Sequence, residues 1–300
     1  MKKWIHAMRL RTLPLAASCI LAGAAAAKAD GFRNTTILVL TLCTAFLLQI
    51  LSNFANDYGD FTHGVDNEHR VGPKRAMQSG AISKAQMRRA LIITTILTLV
   101  SGISLLWIVF APKSQFVSAL LMLLIGIGAI AAAIKYTVGN NPYGYRGLGD
   151  LFVFAFFGPV GVIGTYFLIA SGFKLSVLLP ACTIGLFSTA VLNLNNLRDH
   201  ENDRASGKRT LIVQMGFRNG KVYQSLLIAF GIISLIIWLI FTSTGSLAWS
   251  ACVPALLQSL LLLRVWRAQE PAKLDPELKK VAMLAFLTAL LLFLGWFIPE

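Results

Sequence analysis

The sequence predicts an all-α, multi-spanning membrane protein, and three observations support that prediction. The 300 residues are 56% hydrophobic and only 13% charged, with a mean hydropathy of +0.69, whereas an average soluble domain is roughly 25% charged. The apolar residues gather into nine runs, near 12–29, 35–55, 87–111, 115–135, 150–171, 175–196, 221–243, 246–266 and 279–298. Each is close to the ~20 residues that cross a hydrocarbon layer as a helix. The runs are apolar on all sides rather than alternating with period two, so they read as helices and not as barrel strands.

Taken in order, the first run is entered through Arg9 to Pro14 and ends in the small residues Ala22 to Ala29. It has the length of a cleaved leader, but eight further spans make a retained helix the economical reading. The second leads into Asn56-Asp57-Tyr58-Gly59-Asp60-Phe61-Thr62-His63-Gly64, followed by Gly72-Pro73-Lys74-Arg75. The third and fourth are identified by hydropathy. The fifth starts at Asp150, after the turn-rich stretch Gly139-Asn140-Asn141-Pro142. The sixth leads into Asn195-Asn196-Leu197-Arg198-Asp199-His200-Glu201-Asn202-Asp203, followed by Gly207-Lys208-Arg209. The last three rest on hydropathy alone.

The two polar stretches share the register Asn-[Asp/Asn]-x-x-Asp-x-x-x-[Gly/Asp]. They follow the second and sixth spans, so the repeating unit is four helices long. Residues 1–300 are therefore expected to form one membrane domain of two four-helix halves plus a ninth helix, with a shared site between the halves.

The net charge of +14 suggests a nucleic acid, but its distribution points to a membrane. All of the 27 Lys and Arg residues except Lys28, Arg33, Lys113 and Lys174 lie on the N-terminal tail and alternate loops. That asymmetry puts the N-terminus and the loops around 57–86, 136–149, 197–220 and 267–278 in the cytoplasm, with the C-terminus outside. Lys2, Lys3, Arg264, Lys279 and Lys280 read as contacts to anionic lipid headgroups. Cys19, Cys43, Cys182 and Cys252 are scattered singly and read as packing residues. His6, His63, His69 and His200 read as solvated loop histidines. Trp107, Trp238, Trp249 and Trp296 read as interfacial anchors, and Phe152, Phe154, Phe156 and Phe157 as packing.

If the second span stays helical through its polar end, Asn53, Asp57 and Asp60 share a face at i, i+4 and i+7. Asn195, Asp199 and Asp203 stand at i, i+4 and i+8. Acids stacked at a helix C-terminus repel one another and oppose the helix dipole, and a divalent cation relieves both conflicts. Hard Asp and Asn oxygens suit Mg²⁺, whose coordination shell is completed by water and substrate phosphate. Solvated loop ion pairs, worth about 0 to 1 kcal/mol, are the simpler reading of any one acid. Two copies in one register, each followed by Lys-Arg, argue against it. Lys74, Arg75, Lys208 and Arg209 are donors suited to a diphosphate, and the surrounding apolar helices suit an isoprenoid tail. Asp150 has two readings, as a first-turn acid at a helix start or as a group that positions an aromatic acceptor with Tyr145 and Arg146. In the second, Arg146 is the natural carboxylate partner.

Four blocks together resemble a known family. They are Arg11-Thr12-Leu13-Pro14, the stretch Asn56 to Asp66 with Arg70 to Gly80, the stretch Tyr145 to Asp150 running into Phe156-Phe157-Gly158-Pro159 and Gly164-Thr165-Tyr166, and the stretch Asn195 to Asp203 with Gly207 to Leu211. This set, which extends from Trp4 to Gly216, resembles the UbiA superfamily of intramembrane prenyltransferases. Within it, the set is most similar to the branch that prenylates 1,4-dihydroxy-2-naphthoate. The resemblance implies that Asp57, Asp60, Asp199 and Asp203 hold Mg²⁺ on a polyprenyl diphosphate, that Asn53 and Asn56 support the first metal, and that Lys208 contacts phosphate. Asn195, Asn196 and Arg198 join the substrate-binding set. It also implies ionisation of the allylic diphosphate, attack by a naphthoate ring carbon and loss of carbon dioxide to give demethylmenaquinone, in the bacterial cytoplasmic membrane. The first motif ends in Gly64 where the superfamily often has Asp, and Asp66 follows off-register as an additional candidate ligand. Leu10 replaces a proline frequent in the family. Other acceptors, such as 4-hydroxybenzoate or homogentisate, are the alternative within the class. A secondary transporter is the alternative outside it, and is disfavoured because the acids cluster at one membrane edge rather than at mid-span.

Overall fold

A computed structural model describes residues 1–68, 71–242 and 246–297. Every regular element among them is helical. His69 and Arg70 lie outside the described residues, as does the side chain of Trp296. In chain order the helices are α1 (Lys2–Met8), α2 (Leu13–Ala29), α3 (Thr35–Thr62), α4 (Lys84–Phe110), α5 (Phe116–Lys135), α6 (Gly149–Ala155) and α7 (Gly164–Ala170), then α8 (Leu178–Ala205), α9 (Leu211–Met215), α10 (Phe217–Phe241), α11 (Cys252–Arg267) and α12 (Asp275–Phe297). Nine helical stretches among the described residues are long and apolar enough to cross a membrane. They match the nine runs, and this is a multi-pass helical membrane protein.

Two differences from the expected spans shape the site. The second polar motif is helical throughout and the first as far as Thr62, because α8 continues to Ala205 and α3 to Thr62. The fifth span is not one α-helix. A π-helical segment, Phe156–Ile163, containing Pro159, separates α6 from α7. Proline lacks the N–H of a regular turn, and wide π turns recur at functional sites. The short helices α1 and α9 were not anticipated, since each is too brief to show periodicity.

The core is built on α2 and α8. In α2 every residue from Ala16 to Ala27 is buried, and small side chains let neighbouring backbones approach closely. A Cβ on Gly23 would stand 2.4 Å from the Val162 carbonyl oxygen. The ninth span, α12, is not peripheral. It packs along α2 and also against α8 and α11, closing the bundle between the two halves. Outward faces of α4 and α5, including Ile92, Ile96, Val100, Trp107 and Leu120, are exposed and apolar, as lipid-facing helices require.

Ion pairs among the described residues divide between the two ends of the bundle. Asp30 accepts from Tyr166 Oη at 2.8 Å and pairs with Lys174 at one end. The N-terminal segment, the α3–α4 connection, the loop before α6, the end of α8 and the start of α12 meet at the other. Two residue readings are corrected by packing. Trp238, read as an interfacial anchor, is only 1% exposed and sits in the core. His200, read as a solvated loop residue, is buried on α8 and stacks on Phe217 at 5.0 Å. Arg264 and Lys280, whose side chains stay exposed as the lipid-contact reading requires, also pair with Glu277.

Candidate active site

A cavity of about 980 Å³ runs lengthwise through the bundle. Its wall on α3 is a stripe at three- and four-residue intervals, from Asp60, Asp57 and Asn56 through Gln49 to Thr41, roughly 28 Å of helix at 1.5 Å per residue. One end is charged, and the rest is a largely apolar sleeve of aliphatic, glycine and aromatic residues with a few hydroxyls, among them Thr41, Thr44, Thr98 and Thr165.

The charged end depends on how the two motif helices stop. Gly64 and Gly207 both take left-handed backbone, at φ 71° and 73°, which glycine adopts without steric cost. The Val65 amide then donates to the Asp60 carbonyl and the Lys208 amide to the Asp203 carbonyl, at 2.9 and 2.8 Å, as in a Schellman cap. Measured from the helix ends, Asp60 therefore corresponds to Asp203. The sequence register paired Asp60 with Asp199 and is displaced by one turn.

Within this end, the Arg75 guanidinium reaches three acids. It lies 3.4 Å from Asp57 Oδ1, 3.5 Å from Asp60 Oδ2 and 3.5 Å from Asp66 Oδ1. Asp66, off-register in sequence, is thus drawn to the first motif by the turn after Gly64. Asp57 Oδ1 also accepts from Arg9 at 3.1 Å. Asp60 Oδ1 accepts from Tyr145 Oη at 2.8 Å and lies 4.0 Å from Lys208 Nζ. Lys208 is 3.7 Å from Asp203 Oδ1 and 5.3 Å above the Tyr145 ring. Burial works to lower the Lys208 pKa, but the Asp60 and Asp203 charges outweigh it and hold the group above an ordinary lysine. Burial, reinforced by Asp60, raises the Tyr145 phenol. Tyr136 is pushed up to about 12, chiefly by burial. Lys208 thus stays an ammonium, and both tyrosines stay protonated donors.

On α8, Arg198 is fully engaged. It donates to Asp199 at 2.6 and 2.8 Å, to Asn195 Oδ1 at 2.9 Å and to Asp275 of α12 at 2.6 Å. Asn195, Asn196, Arg198 and Asp275 line the cavity. Asp199 and Asp203 do not, and stand behind Arg198 and Lys208.

Other predicted residues divide in the same way. Asn56, Lys74 and Arg75 are on the wall. Asn53 is not, because its amide donates to the Met8 carbonyl and Thr12 Oγ1, both at 2.9 Å, and so ties down the start of α2. Arg146 and Arg209 are exposed and off the wall, which removes Arg146 as a carboxylate partner inside this cavity. Asp150 is a buried first-turn acid of α6, also off the wall. Phe152, Phe156 and Phe157, read as packing, line the cavity, and Tyr143 stacks on Phe152 at 4.0 Å. Sequence reasoning missed Arg9, whose φ of 49° and ψ of 56° no composition or spacing signals. It also missed Asp275, which pairs with Arg198 across helices.

The donor set suits a hard divalent cation. It consists of carboxylate and amide oxygens, with no thiolate. Asp57, Asp60, Asp66 and Asp203 are gathered there with Arg9, Arg75 and Lys208. Among the described residues no three His, Cys, Asp or Glu side chains converge on one point, because Arg75 and Lys208 stand between the acids.

Fold and site together define an integral membrane protein whose cavity joins a charged head to a long, largely apolar sleeve. A family model described as the UbiA prenyltransferase family matches residues 16–290, and the chain belongs to that family. It is 41% identical over 297 residues to the 1,4-dihydroxy-2-naphthoate octaprenyltransferase of Escherichia coli (strain K12), with 99% of this chain and 96% of that protein covered. It is 41% identical over 301 residues to the protein of the same name from Haemophilus influenzae, covering 98% and 96%. A UbiA homologue from Archaeoglobus fulgidus, solved bound to GPP and Mg²⁺, shares the fold with a TM-score of 0.63 at 16% identity, covering 99% of this chain and 100% of that one.

Proposed function

We propose that the protein transfers a polyprenyl chain from polyprenyl diphosphate to 1,4-dihydroxy-2-naphthoate, in a bacterial cytoplasmic membrane with the charged end of the cavity toward the cytoplasm. The observation that carries the reaction class is the joining of an acid-and-base head to an apolar sleeve inside one membrane bundle. The relatives at 41% identity carry the acceptor.

In this reading Arg9, Arg75 and Lys208 bind diphosphate oxygens, with Arg75 well suited to bidentate contact. Asp57 and Asp60 with Asn56 would hold Mg²⁺ at the cavity wall, and Asp199 and Asp203, which stand behind Arg198 and Lys208, would reach it once those two cations turn to the diphosphate. Bound there, the metal supplies positive charge to the leaving diphosphate. Tyr145 donates to Asp60 and fixes its orientation. Tyr143, Phe152 and Phe156 present ring surface beside the head, which excludes water and favours positive charge on the allylic carbon. The allylic C–O bond breaks with its electron pair leaving on diphosphate, and the ring carbon that bears the carboxylate forms the new C–C bond. The carboxyl group departs as carbon dioxide and its bonding pair restores the aromatic ring. The product is the reduced form of demethylmenaquinone.

The test is turnover by purified protein given a polyprenyl diphosphate and the naphthoate, with and without Mg²⁺, following both product and released diphosphate. Metal-independent turnover, or full activity in Asp57→Ala, would sink the proposed head site. Product formation with 4-hydroxybenzoate at a comparable rate would sink the acceptor assignment.

A further inference from the structure

Three helices each present a glycine to the apolar sleeve. Gly102 of α4, Gly126 of α5 and Gly164 of α7 all line the cavity. A Cβ built on Gly126 meets no atom within 4 Å. On Gly102 it meets only Thr44 Cγ2 at 3.9 Å, and on Gly164 only Met122 Cε at 3.8 Å. Glycines that serve helix packing here are different, as a Cβ on Gly59 would lie 2.4 Å from the Thr137 carbonyl oxygen. Nor does the backbone require glycine, since none of the three has positive φ. Glycine inside a helix is less stable than alanine by about 0.5 to 1 kcal/mol. Neither packing nor conformation accounts for these three, but the cavity does, because each missing side chain leaves empty space inside it.

Their depths differ. Gly126 is roughly 15 Å along α5 from Tyr136 at the charged end. Gly164 is roughly 21 Å from Asp150 along the broken fifth span, and Gly102 faces Thr44, roughly 24 Å from Asp60 along α3. Below them the sleeve ends on Leu105 and Leu168, which are packed with Phe110 and Ile37.

Resting on the prenyl-transfer reading above, we propose that Gly102, Gly126 and Gly164 set the length of isoprenoid tail the protein accepts. The open wall at each position admits a further part of the chain, and a side chain placed there acts as a stop at that depth.

The experiment compares kcat/KM for geranyl, geranylgeranyl and octaprenyl diphosphate, with the naphthoate fixed, in the wild type and in Gly126→Leu, Gly164→Leu and Gly102→Leu. Gly126→Leu keeps the geranyl value and loses at least about tenfold on the longer donors, because a few apolar carbons excluded at about 0.8 kcal/mol each exceed that factor. The two deeper variants lose the octaprenyl donor first. Gly128→Leu on the same helix, where a Cβ meets nothing and which is off the cavity wall, keeps the wild-type profile. Gly126→Ala shifts the profile in the same direction by less, and provides the test if the leucine variants do not fold. An inactive wild type with every donor refutes the prenyl-transfer reading. An active wild type whose folded variants keep its donor-length profile, or lose all donors equally, overturns the length assignment alone.

Discussion

Lys208 and Asp60, from the two motif-bearing halves of the chain, stand 4.0 Å apart. Asp203 lies 3.7 Å from the same ammonium, so one lysine joins the ends of both motif helices. That contact lets two acidic stretches, more than a hundred residues apart in sequence, act on one ligand head.

Replacing Lys208 by alanine removes the cation shared by the two motifs. The expected outcome is a fall in kcat of about 10²- to 10³-fold, the usual loss when one preorganised charge-stabilising donor is removed. Lys208→Arg keeps the charge and recovers part of the rate. Steady-state kinetics decide the matter, and an unchanged kcat in the alanine variant refutes the assigned role.

Arg75 is the counterion of three acids at once, and its fork cannot be reproduced by an ammonium. Arg75→Ala leaves Asp57, Asp60 and Asp66 crowded with less compensating charge. A loss of about 3 kcal/mol is expected for breaking a buried ionic cluster. Thermal unfolding in detergent should show a lower midpoint for Arg75→Ala and a smaller drop for Arg75→Lys. Equal midpoints in all three proteins contradict the cluster.

Arg198 ties α8 to α12 through Asp275 at 2.6 Å. A double-mutant cycle on Arg198 and Asp275 should give a coupling energy of about 0.5 to 3 kcal/mol in stability, the range for residues sharing one ionic network. Additive effects would show that α12 does not hold this arginine in place.

Glycines at helix contacts should respond oppositely to those lining the sleeve. A Cβ on Gly59 would stand 2.4 Å from the Thr137 carbonyl oxygen and 2.5 Å from its Cβ, so Gly59→Ala is expected to cost about 1 to 3 kcal/mol. Gly126→Ala should be neutral or slightly stabilising. Melting temperatures of the two variants measured side by side check this contrast.

Much of the architecture was legible because a membrane imposes few lengths. Runs of about twenty apolar residues predict spans, and the nine predicted from hydropathy are the nine found among the described residues. The candidate site was legible in part, because the repeated Asn and Asp spacing marked α3 and α8 as the helices that carry the polar end. Reach was not legible. Arg146 and Arg209 have the right chemistry but point away from the cavity, whereas Arg9 enters it through a left-handed residue at the end of α1.

From sequence alone, then, came the membrane class, the number and order of spans, and the duplication that puts acids at the polar ends of the second and sixth. These depend on composition and local periodicity, which a linear chain displays. Only the tertiary structure decided that Asp60 matches Asp203 rather than Asp199, that Asp66 joins the first motif through Arg75, and that α12 supplies Asp275 to the second. Those outcomes depend on where a glycine ends each helix and how distant helices cross, and such long-range geometry leaves no periodic trace in the sequence.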